Sequence, residues 1–350
     1  MAYTTINKST DYFNTKIYTG NQSSTHAVTG VGFEPSLTWL KIRTGAGSHY
    51  LYDATRSVTK SISSDTTSAE LTNSYFSSFN TDGFTLGSAS NNVNGAYNYA
   101  SWNWKANGAG SANTAGSINS TVSVNTTSGF SISSYTGTGS LATVGHGLGV
   151  APAMIIMKNR STTNGWEVYH QSLGNTRYMQ LHSTSVGGTS ATRWNNTSPT
   201  STVFTVNTEG GVNSSGGNLI AYCFAEKQGY SKFGSYVGNG NADGSFIYTG
   251  FKPAFVIYKG ASGTGTTDNW EMIDNKRTDG TLGNPKNEVL YPNLSNAEGV
   301  NTTDRLDLLS NGFKMRTGSS DYNASGSTYI YMAFAEAPLV GTNNVPCTAR

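Results

Sequence analysis

The residues best suited to acid–base chemistry occur in two sets that share one order along the chain. Each set runs Asp, Arg, Glu: Asp53, Arg56, Glu70 and Asp274, Arg277, Glu298. Two carboxylates can hydrolyse a glycosidic bond when they are held about 5–10 Å apart. An arginine in the same set is, however, a ready ion-pair partner for both acids. We therefore expect these carboxylates to be structural, and we predict no catalytic residue.

The histidines and cysteines give no sign of a metal or redox site. None of the histidines has the spacing of a zinc ligand pair: His26, His49, His146, His170, His182. Cys223 stands in the apolar run 219–224 and is expected to be a small buried residue. Cys347 lies near the end of the chain and is expected to be a free thiol. The sequence predicts neither a metal nor a cofactor.

The charge balance argues against two classes of partner. The formal net charge is +2 and charged residues make up 12% of the chain. No basic cluster is present, so we expect neither nucleic-acid binding nor attraction to an anionic membrane. No apolar run is long enough for a membrane span, and residues 1–5 are polar. The sequence predicts no signal peptide and synthesis in a cytoplasm.

The elements that must position these residues are predicted to be strands. The chain has 41 glycines together with 20 Tyr, 14 Phe and 6 Trp. Asp82-Gly83 and Asn311-Gly312 are strong hairpin-turn signals. Apolar runs at 153–158 and 254–259 are typical of buried strands, and no segment has a helical period. An all-β protein of sandwich or jelly-roll type is expected, with under about a tenth of its residues in helices.

A repeated phrase sets the organisation of the chain. A tyrosine is followed by a proline seventeen residues later and by a lysine six residues after that: Tyr18, Pro35, Lys41; Tyr135, Pro152, Lys158; Tyr236, Pro253, Lys259. Each copy closes on an aromatic strand, at 99–104, 220–224 and 330–334. The polar residues vary between copies, since Asp53 and Asp274 correspond to His170. A fixed scaffold with changing polar residues favours a display surface over a catalytic centre.

Three tandem β-sandwich repeats are therefore predicted, each close to a common domain size. The segments are an N-terminal arm (1–16), repeat 1 (17–108), a Gly/Ser/Asn-rich linker (109–129), repeat 2 (130–229), repeat 3 (230–338) and a C-terminal tail (339–350). The composition of residues 109–129 is typical of a flexible connection. The two terminal segments are either docking arms or frayed ends.

An extra loop in repeat 2, residues 171–199, is the best candidate for a contact surface. It carries the four residues that we predict to bind a ligand: Tyr178, His182, Arg193, Trp194. Aromatic faces and hydrogen-bonding groups on the loops of a rigid sandwich suit a sugar ligand. The alternative is that these side chains pack against a neighbouring repeat or subunit.

Several phrases resemble those of virion proteins of marine tailed bacteriophages, including cyanophages and pelagiphages. The matching phrases cover almost the whole chain, and examples are 18–21, 32–35, 82–87, 102–108, 145–149, 221–232 and 329–336. The resemblance implies lectin-like (concanavalin-like or SPRY-like) sandwiches on a tail fibre, adhesin or capsid surface. It implies no catalytic residue. One position departs from the family, where Asn103 replaces the usual cysteine between two tryptophans.

The functional expectation is a non-enzymatic virion protein, made in the host cytoplasm, that is a tail fibre, adhesin or head-surface fibre. Its expected partners are other virion proteins and a host surface glycan. A homo-oligomer is expected and a trimer is possible, although no coiled-coil heptads enforce one. One alternative is a purely structural capsid or tail decoration or connector protein without a ligand. A third hypothesis is a glycan depolymerase.

Overall fold

The computed structural model describes residues 2–263, 268–278, 283–300 and 304–346. The fold is all-β, as the sequence predicts, and every pair of named strands is antiparallel. Helices in the described ranges are short: α1 (Ala191–Trp194), α2 (Gly210–Asn213), α3 (Ser320–Asn323) and 3₁₀ turns at Ser9–Asp11 and Gln171–Leu173. Cys347 lies outside the described residues.

The first copy of the repeated phrase forms two sheets. Its strands are β1 (Phe13–Thr19), β2 (His26–Thr29), β3 (Leu37–Ile42), β4 (Tyr50–Asp53), β5 (Lys60–Ser63), β6 (Leu71–Thr72), β7 (Phe76–Asn80), β8 (Gly83–Leu86) and β9 (Asn98–Trp104). The larger sheet has the order β1-β9-β3-β4-β5-β6, and the smaller sheet has the order β2-β8-β7.

The second copy has a larger sheet of eight strands, β10-β11-β12-β19-β14-β15-β16-β17, and a smaller sheet, β13-β18. Its strands are β10 (Ser111–Asn113), β11 (Ser120–Asn125), β12 (Phe130–Thr136), β13 (Ala142–Gly145), β14 (Met154–Asn159), β15 (Trp166–His170), β16 (Arg177–Gln180), β17 (Gly188–Thr189), β18 (Val203–Val206) and β19 (Asn218–Phe224).

The third copy has a larger sheet, β20-β28-β22-β23, a smaller sheet, β21-β27-β26, and a separate pair, β24-β25. Its strands are β20 (Ser231–Val237), β21 (Phe246–Tyr248), β22 (Phe251–Ser262), β23 (Glu271–Asp274), β24 (Glu288–Val289), β25 (Gly299–Val300), β26 (Leu306–Leu309), β27 (Gly312–Met315) and β28 (Thr328–Pro338). In all three copies the closing aromatic strand (β9, β19, β28) lies between two others. On one side is the opening strand (β1, β12, β20), and on the other is the strand at the proline of the repeated phrase (β3, β14, β22).

Each larger sheet is buried on both faces. One face packs on the smaller sheet of the same copy and forms a separate core with it. The opposite face joins a central core to which all three copies contribute, with Trp102, Tyr222 and Met332 among its residues. Strands that are covered on both sides tend to be apolar at consecutive positions. This explains why 153–158 and 254–259 show no alternation of apolar and polar residues.

Three aromatic side chains meet at the middle of the central core. Trp104, Phe224 and Phe334 hold equivalent places in β9, β19 and β28. Their ring centroids are 6.2 Å (Trp104–Phe224), 5.8 Å (Trp104–Phe334) and 6.1 Å (Phe224–Phe334) apart. Rings at such distances in edge-to-face arrangements attract one another beyond the area that they bury. The three copies therefore surround one shared centre.

The segment 109–129, for which the composition predicts a flexible linker, contains two strands in the structure. It supplies β10 and β11, and β11 pairs along its full length with β12. Val122 is buried there, and Val122 and Val124 alternate with the polar residues Thr121 and Ser123 at the two-residue period of a strand. The high content of Gly, Ser and Asn conceals this short alternation.

The terminal segments also differ from the predicted arms. Residues 13–16 already belong to β1, and Ile6 and Phe13 are buried in the central core. The two ends contact each other, since the Thr342 N–H donates to Asn7 Oδ1 over 2.7 Å. Apolar residues at these positions anchor residues 2–16 to the body of the protein.

Candidate functional site

The two Asp–Arg–Glu sets form buried ion-pair networks. Arg56 Nε lies 2.6 Å from Asp53 Oδ2, and Arg56 Nη1 lies 3.0 Å from Glu70 Oε2. In repeat 3 the matching distances from Arg277 are 2.7 Å to Asp274 and 2.8 Å to Glu298. The predicted structural pairing is thus confirmed in both sets. One guanidinium bonds to two carboxylates in each of them.

Each network also crosses a boundary between copies, which the sequence did not indicate. The Tyr222 O–H of repeat 2 donates to Asp53 over 2.7 Å, and Arg160 Nε of repeat 2 donates to Glu70 over 2.8 Å. At the next boundary Trp102 Nε1 of repeat 1 donates to Asp274 over 2.9 Å. There Arg43 Nη2 lies 2.6 Å from Glu298. The acids therefore join repeats 1 and 2 and repeats 3 and 1.

His170 holds the corresponding place between repeats 2 and 3. Its Nδ1 accepts the N–H of Ser172, so Nε2 carries the proton and donates to the Tyr331 carbonyl oxygen over 3.2 Å. Burial lowers the pKa of His170 to about 4. A neutral imidazole thus replaces the charged set at this boundary.

The three lysines of the repeated phrase form a second set of ties. Lys41, Lys158 and Lys259 are fully buried and each donates to a carbonyl oxygen of its own repeat. Each also donates to a loop carbonyl of another repeat: Lys41 to Ser295 (3.1 Å), Lys158 to Thr67 (2.9 Å), Lys259 to Thr184 (2.6 Å). Burial lowers the pKa of all three to about 8. The fixed position of this lysine is explained by its contact across a boundary.

These buried groups are poorly suited to catalysis. Burial alone would raise the pKa of Asp53 and Asp274, but the adjacent guanidinium holds each pKa below its usual value. A general acid needs the opposite shift, because it must keep its proton near neutral pH. Among the described residues, no group of three or more His, Cys, Asp or Glu side chains is placed to hold a metal ion. None of the described helices has the length and apolar character needed to span a bilayer.

The four residues predicted to bind a ligand lie mostly inside repeat 2. Arg193 is buried between the Tyr178 ring, 3.4 Å from its guanidinium carbon, and Glu167, 2.5 Å away. The Trp194 indole is 2% exposed and donates its N–H to the Arg177 carbonyl oxygen. His182 lies apart from these three, where its Nδ1 accepts the Trp166 N–H. Trp194 therefore has no free ring face for a sugar.

The loop that carries these residues packs on repeat 3, as the alternative interpretation expects. Arg177 Nη2 donates to the Ala261 carbonyl oxygen over 2.7 Å, and Thr184 accepts from Lys259. Gln171 at the start of the loop donates to the Phe233 carbonyl oxygen over 2.7 Å. The polar and aromatic residues of loop 171–199 thus serve the boundary between repeats 2 and 3.

An exposed aromatic pair that the sequence analysis missed lies on repeat 3. Phe246 and Tyr248 are 47% and 53% exposed on β21, whereas Ile247 between them is buried. Alternate side chains of a strand share a face, so both rings point outward. They line an open groove of about 520 Å³ together with Val237 and the hydroxyl-bearing Ser235, Ser245 and Tyr331, here called the repeat-3 groove.

The aromatic pair is specific to repeat 3. Equivalent positions follow from the buried pairs Val28–Phe84, Val144–Phe204 and Ile247–Phe313. The residues that flank the first member of each pair are Ala27 and Thr29, Thr143 and Gly145, Phe246 and Tyr248. Large rings at two outward positions are not needed for the fold, because the other copies form the same pairing without them. The signal in the sequence was Phe-Ile-Tyr, in which the two residues that share one face of the strand are both aromatic.

The shared core and the boundary hydrogen bonds hold the antiparallel sheets of this all-β protein together. The chain belongs to the family described as a domain of unknown function (DUF7483), whose model matches residues 8–338. The match extends from the segment before β1 to the end of β28, so one family unit includes all three copies. No curated protein matches the chain.

Proposed function

We propose that the protein is a non-enzymatic structural protein of a bacteriophage particle, displayed on a tail fibre, adhesin or head surface, that contacts host surface glycans. The observation that carries the proposal is the exposed pair Phe246 and Tyr248 in the repeat-3 groove. Sugars pack their C–H faces on aromatic rings and bond their hydroxyls to nearby polar groups. A concave surface with aromatic side chains and a few hydroxyls supplies both kinds of contact.

The use of charge inside the protein supports a binding role over a catalytic one. Asp53, Glu70, Asp274 and Glu298 are all bonded to arginine, and each has its pKa held below the usual value after burial is offset. A rigid body whose polar groups are committed to internal contacts suits display. The phage assignment itself depends on the resemblance of the repeated phrases.

The experiment is glycan-array binding of the full-length protein and a double variant, Phe246→Ala with Tyr248→Ala. We expect binding by the unchanged protein and at least about a tenfold loss in the double variant, which corresponds to about 1.4 kcal/mol. The matched control is Leu141→Ala with Val150→Ala, which removes two exposed apolar side chains of repeat 2. Equal binding by all three proteins would disprove the role of the repeat-3 groove.

A second candidate function is a decoration or connector protein without a glycan ligand. It is favoured by the predicted contact residues of loop 171–199, which are used inside the protein. Antibody labelling of purified particles separates the two. Hundreds of copies on the head, with no array binding, would favour decoration. A few dozen copies at the tail, with groove-dependent binding, would favour the adhesin.

A further inference from the structure

The outer edge of β1 has unused backbone hydrogen-bonding groups. The Gly20 N–H donates to the Tyr97 carbonyl oxygen over 2.9 Å, which places the bonds of the even-numbered residues of β1 toward β9. The backbone N–H and C=O of Thr15, Ile17 and Thr19 therefore point away from the sheet. Within the described ranges, no residue bonds to these outward groups.

The equivalent edge in repeat 2 is covered by the chain itself. Strand β12 bonds to β19 on one side and to β11 on the other, with Val122 opposite Ser133 and Thr121 opposite Ser134. Just before β11, the Ile118 N–H donates to Thr143 of β13 over 2.9 Å. An extended segment thus closes the gap between the two sheets of this copy. Repeat 2 shows directly what kind of ligand fits such an edge.

The equivalent edge in repeat 3 is largely capped by neighbouring residues. The outward Phe233 carbonyl oxygen accepts from Gln171, and Ser231 pairs with Lys227. Among the described residues of the three opening strands, β1 therefore keeps the longest run of free edge groups. The edges of β12 and β20 are bonded within the chain and the edge of β1 is not, which favours a contact between β1 and another molecule.

The cleft beside β1 indicates the charge of that contact. It has a volume of about 370 Å³ and is lined by Lys16 and Lys276, among others. Neither lysine forms an ion pair with a described residue, and the nearby Asp82 carboxylate already accepts the N–H groups of Gly30 and Gly32. Lysine on a sheet edge opposes unspecific strand pairing. An acidic residue in the incoming strand would remove that opposition.

We propose that the β1 edge binds an extended segment of a partner protein as an added antiparallel strand, with an acidic side chain facing Lys16. Lys16 holds the place of Ser133, as their partners Ser101 and Ala221 in the central strands are equivalent. The acidic residue would therefore take the place that Val122 of β11 has opposite Ser133 of β12. Main-chain hydrogen bonds provide affinity in strand addition, and the side chains provide selectivity.

The probe is a labelled synthetic peptide that copies residues 118–126 with Val122→Asp, and its binding to the full-length protein is followed by fluorescence anisotropy. We expect this peptide to bind at least about tenfold more tightly than the same peptide with Val122→Lys, a difference of about 1.4 kcal/mol. The charge reversal Lys16→Glu in the protein should invert the preference. Equal binding of the two peptides to the unchanged protein would overturn the proposal.

Edge variants locate the binding strand. Ile17→Pro removes an outward N–H without breaking a bond to β9, since proline is tolerated where the N–H faces solvent. It should reduce binding at least about tenfold, a loss of about 1.4 kcal/mol, whereas the matched change Ser235→Pro on β20 should leave binding unaltered. Loss of binding in both variants would contradict the assignment. A dimer of the unchanged protein that Ile17→Pro dissociates would show that the occupant is a second copy, and would also overturn it. Because Ser235 lines the repeat-3 groove, glycan binding is compared only between the unchanged protein and Ile17→Pro, and it should be equal in these two proteins.

Discussion

Trp102 in repeat 1 donates its indole N–H to the Asp274 carboxylate in repeat 3 over 2.9 Å. The same relation recurs one boundary on, where the Tyr222 O–H of repeat 2 donates to Asp53 of repeat 1. At the last boundary His170 of repeat 2 donates to the Tyr331 carbonyl oxygen of repeat 3. The closing strands β9, β19 and β28 thus contact β23, β4 and β15, respectively. The order is the same at every boundary: repeat 1 contacts repeat 3, repeat 2 contacts repeat 1, and repeat 3 contacts repeat 2. Three such steps close a ring, as identical subunits do in a cyclic trimer.

Removing the central cation of one network should be strongly destabilising. Arg277 is fully buried and bonded to both Asp274 and Glu298. Arg277→Met leaves two buried carboxylates without their shared partner, and we expect a loss of about 3–5 kcal/mol in the free energy of unfolding. Denaturant titration measures this loss. Arg316→Met is the control, because Arg316 is 41% exposed and 3.5 Å from Asp307, so a change under about 1 kcal/mol is expected there.

Glu271 should make stability fall as the pH rises. Burial raises its pKa to about 7, and the Arg305 guanidinium 3.9 Å away only partly opposes this. Between the ordinary value of about 4.5 and 7 the folded state keeps a proton that the unfolded state has released. The contribution of this group to the free energy of unfolding is therefore fully present below about pH 4.5 and is lost as the pH rises through 7. We expect Glu271→Gln to be more stable than the unchanged protein at pH 8 by up to about 3 kcal/mol, with the difference vanishing near pH 4.5. A difference independent of pH would contradict this account.

Replacing the equivalent glutamate of repeat 2 should destabilise the protein, whereas replacing Glu271 should stabilise it. Glu167 occupies the same register position on β15 as Glu271 on β23, but it contacts Arg193 at 2.5 Å. Glu167→Gln leaves Arg193 buried, with Glu209 at 3.7 Å as its remaining acid. We expect a loss of about 3 kcal/mol at neutral pH by denaturant titration. A stabilising effect of Glu167→Gln would show that the pair does not outweigh the cost of its burial.

The parts of this architecture that the sequence predicts are those encoded by local pattern. The strands and their order along each copy are predicted by three features: the apolar runs, the turn glycines and the fixed spacing from Tyr18 to Lys41. The roles of the buried polar residues were predictable only within a copy, as with Arg56 between Asp53 and Glu70. Contacts such as Trp102 to Asp274 join residues far apart in the chain, and no short-range pattern reports them.

The internal contacts of loop 171–199 show why composition alone does not locate a binding surface. Arginine and aromatic residues of loop 171–199, such as Arg193 and Trp194, are the types enriched both at binding sites and at packed boundaries. Composition alone does not distinguish these two uses. Phe246 and Tyr248 are outward because Ile247 is the residue that meets Phe313. That choice of face depends on strand pairing across 66 residues of sequence, counted from 247 to 313.

Acid should loosen the boundary between repeats 2 and 3 before the other two. Burial lowers the pKa of His170 to about 4, whereas the ordinary value is about 6.5. The unfolded state therefore binds more protons between these values, and stability falls as the pH drops from 6.5 toward 4. Hydrogen exchange of β15 and β28 measured from pH 7 to 4 tests this. His170→Gln keeps a donor for Tyr331 without titrating, so its protection factors, which correct for the pH dependence of intrinsic exchange, should not fall with acid as those of the unchanged protein do.

The shared centre should make the three copies unfold together. One face of each larger sheet is buried solely by contacts with the other two copies. A copy that separates therefore exposes Trp104, Phe224 or Phe334 to water. We expect one calorimetric transition whose van't Hoff and calorimetric enthalpies agree. Phe224→Ala should lower the free energy of unfolding by about 3–5 kcal/mol and shift that transition as a whole. The exposed Phe246→Ala is the control, with a shift under about 0.5 kcal/mol expected. A Phe224→Ala scan that splits, with only repeat 2 melting early, would show that the copies are independent domains joined by surface ties.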